Sequence, residues 1–201
     1  MPITVLPQKM AGSMNSFPIV AAPLFILMGN ILGAARITDR IVAFASALIG
    51  WVRGGYAHAS ILTSMIFAGM VGSAVADAAG SGAIEIRAMR NAGYKAETAA
   101  SITAAAATIG PIIPPSLPMV IYGVTADVSI GKLFMAGVVP GALMGGSLMV
   151  MVALIAKREG MAGKAFAGFS AIARTFFSGF FALMTPVVIL GGMFSGLFTP
   201  T

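Results

Sequence analysis

The chain has 201 residues, 58% of them hydrophobic and 9% charged, and a mean hydropathy of +0.97, a balance that excludes a soluble globular domain. The absence of cysteine excludes disulfide frameworks, thiolate nucleophiles and thiolate metal sites. The net charge of +6 comes from basic residues that border apolar runs, the pattern of topology-setting charge and not of a nucleic-acid stripe.

The first apolar run, Phe17 to Ala35, has 19 residues without a charge, about 28 Å as a helix, enough to cross a bilayer once. Ile41 to Val52 is only 12 residues long, with Arg36, Asp39 and Arg40 before it and Arg53 after it. A helix that short and basic at both ends is expected to lie along the membrane interface. Gly54 to Ile86, 33 residues holding His58, Asp77 and Glu85, is too long for one crossing and too short for two. It fits a re-entrant hairpin, whose buried turn the small residues Gly69, Gly72, Ser73, Gly80 and Gly82 permit.

Ala99 to Ala126 is a 28-residue uncharged run broken by Gly110-Pro111-Ile112-Ile113-Pro114-Pro115-Ser116 and then Pro118. Proline removes an amide donor and clashes with the preceding turn, so two half-helices separated by unwound backbone are expected. The freed carbonyls must face protein, water or an ion. Leu133 to Ala156 reads as a plain span with a kink at Pro140-Gly141. A last apolar stretch runs from Phe176 to Thr201, with Pro186, Gly191, Gly192, Gly196 and Pro200 in it. Crossings at 17–35, 99–126 and 133–156 with the N-terminus outside put ten of the twelve basic residues on the cytoplasmic side, leaving Lys9 and Lys132 outside, as the positive-inside rule favours.

The hairpin turn and the proline break are expected to meet near mid-membrane, where half-helix ends and unwound carbonyls form carrier sites. The available oxygens are those of Ser73, Ser81, Ser116 and the carbonyls of residues 110–113. Asp77 is the one carboxylate deep in an apolar run; it binds a coupling ion, relays a proton, or caps the second hairpin helix. His58 is expected in solvent near the interface, with Trp51 and Tyr56 as interface anchors, and Glu85 at the headgroup level. With no His pair, Ser/His pair or carboxylate pair expected at depth, an enzyme is not expected.

The passages FAGMVGSAVADAAGSGAIEI, NAGYKAETAAS, ATIGPIIPPSLPMVIYGV and SIGKLFMAGVVPGALMG resemble the large membrane subunit of tripartite ATP-independent periplasmic (TRAP) transporters. The likeness extends from SFPIVAAPLFILMGNIL to PVVILGGMFSGLFTPT. It implies an all-α integral membrane fold, the first half of an inverted-repeat, elevator-type carrier with a re-entrant hairpin and a discontinuous helix. It implies four segments: an N-terminal span and arm helix (1–53), a transport element (54–126, with the hairpin at 54–90 and the broken helix at 99–126), a following span and cytoplasmic loop (127–175), and the start of a second repeat (176–201).

By the same resemblance the carrier is a sodium symporter of the bacterial inner membrane, multi-pass, importing a small organic acid such as a C4-dicarboxylate, keto acid or sugar acid. Its partners are a small membrane subunit and a periplasmic solute-binding protein. The ion-binding candidates are Gly72, Ser73, Asp77, Gly110, Pro111 and Ile112, with Na+ held by Ser73 and the 110–112 carbonyls, and no other cofactor is expected. The substrate-binding candidates are Ser81, Pro114, Pro115 and Ser116. Family members are longer, so the chain reads as a fragment that lacks the second hairpin, broken helix and ion site. A non-transporting membrane scaffold is the alternative reading.

Overall fold

A computed structural model describes residues 37–161 and 163–197, with isolated positions between 23 and 35. Residues 17–22 of the first expected span lie outside the described residues, and those described from 23 to 31 are helical. Among the described residues every regular element is a helix: α1 (Ile37–Ile49), α2 (Gly55–Val71), α3 (Ala74–Gly80), α4 (Gly82–Asn91), α5 (Ala96–Ala107), α6 (Leu117–Thr125), α7 (Ile130–Glu159), α8 (Phe169–Ser178) and α9 (Phe180–Phe194).

Helix α1 buries Thr38, Ile41 and Ala45, the three-and-four spacing of one helical face, and packs that face on α2 and α8. The turn after it is closed by Gly54, whose φ of 71° is open to glycine without strain. A Cβ there would also come within 2.7 Å of Ala156 on α7.

Helix α2 is buried over most of its length, its few polar side chains included, as expected of a helix enclosed by others. On one side Ala57 and Ile61 join Met89, Ile102, Ile109 and Val152 from α4, α5, the break and α7. On the other, Phe67, Met70 and Val71 join Ile41 and Ala182. One helix thus holds two cores together.

The chain turns at Gly72-Ser73 and runs back as α3 and α4, so residues 55–91 form a helical hairpin. Helix α5 lies beside it, and between Ala107 and Leu117 the backbone leaves the α-helix before α6. The discontinuity expected from the prolines is present. Helix α7 is a single 30-residue helix with Pro140 inside it, about 45 Å long. It is the one helix among the described residues long and apolar enough to cross a bilayer.

Glycines at every fourth position bring α7 close to its neighbours. A Cβ at Gly137 would collide with the Ile112 carbonyl, at Gly141 with Ile113, and at Gly145 with the sulfur of Met65. Small residues at such positions let backbones approach, as in membrane helix pairs. The opposite face leaves Val139, Leu143, Val150 and Leu154 more than half exposed.

The end of the chain departs from the expected layout. A helix already begins at Phe169, and α8 and α9 meet at a bend of 67°. At Gly179, between them, one amide is shared between the carbonyls of Thr175 and Phe176. The Arg40 guanidinium donates to the Ser178 carbonyl at 2.9 Å, and Phe176 packs on both Phe44 and Phe180. The bend is therefore tied to α1, a contact the apolar pattern after Phe176 does not encode.

The glycine stripe makes a stability prediction. Gly137→Ala should destabilise the chain by about 1–3 kcal/mol, since the new methyl has a fixed carbonyl to displace. Gly146→Ala, whose Cβ meets nothing within 4 Å, should be neutral or stabilising by up to about 1 kcal/mol. Thermal unfolding of the two variants in detergent checks the difference.

Candidate ion and solute site at the hairpin tip

Helix α2 ends in an αL glycine cap: Gly72 has φ 61° and its amide donates to the Ala68 carbonyl at 3.1 Å. The glycine is required twice over, because a Cβ would also strike the carbonyl oxygen of Pro115. Ser73 follows in extended conformation as the N-cap of α3, its Oγ accepting from the Ala76 amide at 3.4 Å. A serine at this position satisfies one of the amides that a helix start leaves unpaired.

Across from the tip, three prolines and two isoleucines carry the chain through the break. The Ile112 and Ile113 amides both donate to the Ile109 carbonyl. Ser116 donates its hydroxyl to the Pro111 carbonyl at 2.5 Å and accepts from the Met119 amide at 3.3 Å, so it closes the break and caps α6 at once. Pro118 stands in the first turn of α6, where the missing amide costs nothing. Among the described residues no donor reaches the carbonyls of Gly110 and Ile112.

The two irregular elements touch. The Leu117 amide donates to the Gly72 carbonyl at 3.4 Å, and a Cβ at Gly110 would lie 3.2 Å from the Ser73 carbonyl carbon and 3.3 Å from the Ala74 amide. Gly72, Ser73, Gly110, Pro115 and Ser116 are thereby assembled in one place, with an α-helix starting on each side of it at Ala74 and Leu117. Hydroxyls, unbonded carbonyls and helix N-termini are a donor set for a hard cation and for an anion respectively. No group of three or more His, Cys, Asp or Glu side chains gathers among the described residues, which leaves backbone and hydroxyl oxygens as the ligands on offer here.

Other candidates lie elsewhere. Asp77 is 1% exposed, and its carboxylate accepts from the Ser81 hydroxyl at 2.9 Å. The cap of α3 is Ser73, which removes the reading of Asp77 as a helix cap. Ser81 is equally buried and sits a seven-residue helix away from the tip, about 10 Å, so it is placed with Asp77 and not with Pro114 to Ser116. Glu85, expected among the headgroups, is 3% exposed and takes a hydrogen bond from Ser60. His58, expected in solvent, is buried in α2. Ser60 and Ser64 carry no functional signal in the sequence beyond their spacing of four, which puts both on one face of α2.

A cavity of about 190 Å3 opens beside the break, between Met70, Pro115, Val120, Phe134 and Ile189. It is apolar and smaller than the roughly 300 Å3 at which small-molecule pockets begin, so it offers little to a polar solute.

The described residues thus form a helical assembly in which a proline-broken helix docks on a hairpin tip. The family profile for the tripartite ATP-independent periplasmic transporter, DctM component, matches residues 1–201, and the chain belongs to that family. It is 47% identical over 96% of its length to the sialic acid TRAP transporter permease protein SiaT of Haemophilus influenzae, covering 32% of that protein. It is 45% identical over 96% of its length to the large permease SiaM of Vibrio cholerae, covering 45% of it. With the 2,3-diketo-L-gulonate large permease YiaN of Escherichia coli it shares 41% identity over 99% of its length and 47% of the relative's. The chain thus spans less than half the length of each of these relatives.

Replacing Gly72 should undo the docking. Gly72→Ala combines a strained backbone with a collision against Pro115, and is expected to open the Leu117 amide to solvent. Hydrogen exchange at Leu117 should speed up in the variant while amides within α7 keep their protection.

Proposed function

We propose that this chain supplies one half of the transport site of a sodium-coupled permease that imports a small organic acid delivered by a periplasmic binding protein. The observation that carries the reading is the contact of the hairpin tip with the proline break, through Gly72, Ser73, Gly110 and Ser116. Na+ would be held by the Ser73 hydroxyl and the carbonyl of Gly110, followed by Pro111; the Ile112 carbonyl, also expected as a ligand, is packed on Gly137 of α7 instead. A solute carboxylate would meet the first amides of α3, near Pro114, Pro115 and Ser116, since those at the start of α6 are already bonded or absent. The relatives named for sialic acid and 2,3-diketo-L-gulonate handle small organic acids, which supports the substrate class. A small membrane subunit completes the permease, and the hairpin is re-entrant, moving with α5 and α6 as one element.

Two outcomes are expected. Sodium-dependent uptake by the complete complex should collapse on Ser73→Trp; unaltered uptake would remove the ion site from the tip. The sequence contains no cysteine, so single replacements can be labelled without background. With the N-terminus outside, Lys132→Cys should react with an impermeant maleimide from the periplasmic side and Arg174→Cys only after the membrane is breached.

A further inference from the structure

Inside the hairpin, one helical turn beyond the tip, lies a second group of oxygens that the tip does not use. Asp77 and Ser81 come from α3 and its end, Glu85 from α4, Ser60 and Ser64 from α2, and Thr103 from α5, and none is more than 3% exposed. Ser81 donates to Asp77 Oδ1 at 2.9 Å and lies within reach of Glu85 as well. Ser60 donates to Glu85 Oε2. Ser64 stands beside the Asp77 carboxylate.

These bonds leave the cluster unfinished. Asp77 Oδ2 and Glu85 Oε1 are buried without a hydrogen-bond partner among the described residues. The Ser64 hydroxyl, turned toward the Asp77 carboxylate, makes no well-formed bond either. Buried polar atoms are rarely orphaned, and each such group asks for a missing partner. No basic side chain among the described residues acts on either carboxylate: their polar neighbours are Ser60, Ser64, Ser81 and each other. Two ionised carboxylates shut away from water without a positive charge beside them are strongly disfavoured, so each must carry a proton or meet a cation.

We propose that the interior of the hairpin binds a hard cation between the carboxylates of Asp77 and Glu85, with the hydroxyls of Ser64 and Ser81 completing its oxygen shell, at a site separate from the tip. Every donor is an oxygen, the set that suits Na+, Mg2+ or Ca2+ and not a thiophilic metal. A hydroxyl that donates its proton to a carboxylate keeps lone pairs for a cation, so the existing bonds of Ser81 remain in place. The bound ion would join α2 to α3 and α4, holding the two arms of the hairpin together below the tip. The site does not depend on the chain being a transporter, and it fails or stands independently of the sodium site at Ser73.

The test is thermal unfolding of the full chain in detergent, titrated with NaCl, MgCl2 or CaCl2 against choline chloride at matched ionic strength. One of the three salts should raise the unfolding temperature saturably, and which one does so names the ion. The rise should persist in Ser73→Ala, while Glu85→Gln should weaken half-saturation about tenfold or more. No saturable rise with any salt overturns the proposal. So does a rise that Ser73→Ala abolishes and Glu85→Gln retains, because the ion would then sit at the tip. Where Glu85→Gln does not fold, Ser64→Ala decides: it removes one neutral ligand, and an unchanged half-saturation overturns the site whereas a weakened one supports it.

Discussion

The close approach of two pieces of backbone, Gly72 against Pro115 and Gly110 against Ser73, is the constraint on which the rest of the structure depends. A Cβ at Gly72 would collide with Pro115, one at Gly110 would fit only tightly against Ser73, and both contacts occur where the chain is not helical. Backbone that is not helical carries unpaired amides and carbonyls, which an apolar environment penalises unless something receives them. Here each irregular element receives the other in part: the Leu117 amide goes to Gly72, and Ser116 closes on Pro111. What is left over, the carbonyl of Gly110 and the start of α3, is the chemistry available to a ligand.

The surrounding helices hold this contact in place. Helix α2 carries the tip at its C-terminal end and is enclosed by two cores. Helix α7 reaches the back of the break through Gly137 and Gly141, so the Ile112-Ile113 segment is held between a long helix and the hairpin. At the other end of α2, Lys164 donates its amide to the Gly50 carbonyl and places its ammonium 4.4 Å from the centre of the Tyr56 ring. The segment after α7 is thus fastened to the corner between α1 and α2, a cation over an aromatic face adding to a backbone bond.

Much of this was legible in the sequence because proline and glycine act locally. Four prolines in eight residues announce a broken helix whatever surrounds them, and the small residues from Gly69 to Gly82 announce a turn between two apolar runs, although the cap expected at Asp77 is Ser73. The contact between the two elements followed from their being neighbours in the chain. The polar cluster did not follow. Ser60 and Ser64 read as ordinary members of an apolar helix, and Glu85 stands so near Arg87 that it reads as surface, until the fold closes α2 over α4. His58 was misread for the same reason, since burial is a property of what packs against a residue. The bend at Gly179 depends on Arg40, more than a hundred residues away, and no local pattern carries that information.

The account stands or falls on whether the hairpin tip and the break are in contact in the membrane. Because the chain has no cysteine of its own, the pair Ser73→Cys and Gly110→Cys can be introduced alone and oxidised in native membranes, where a disulfide needs Cα atoms within about 7 Å. The account predicts rapid and near-complete cross-linking within one chain, with little for a control pair of Ser73→Cys and Gly146→Cys. Failure of the first pair to cross-link in folded protein would contradict it.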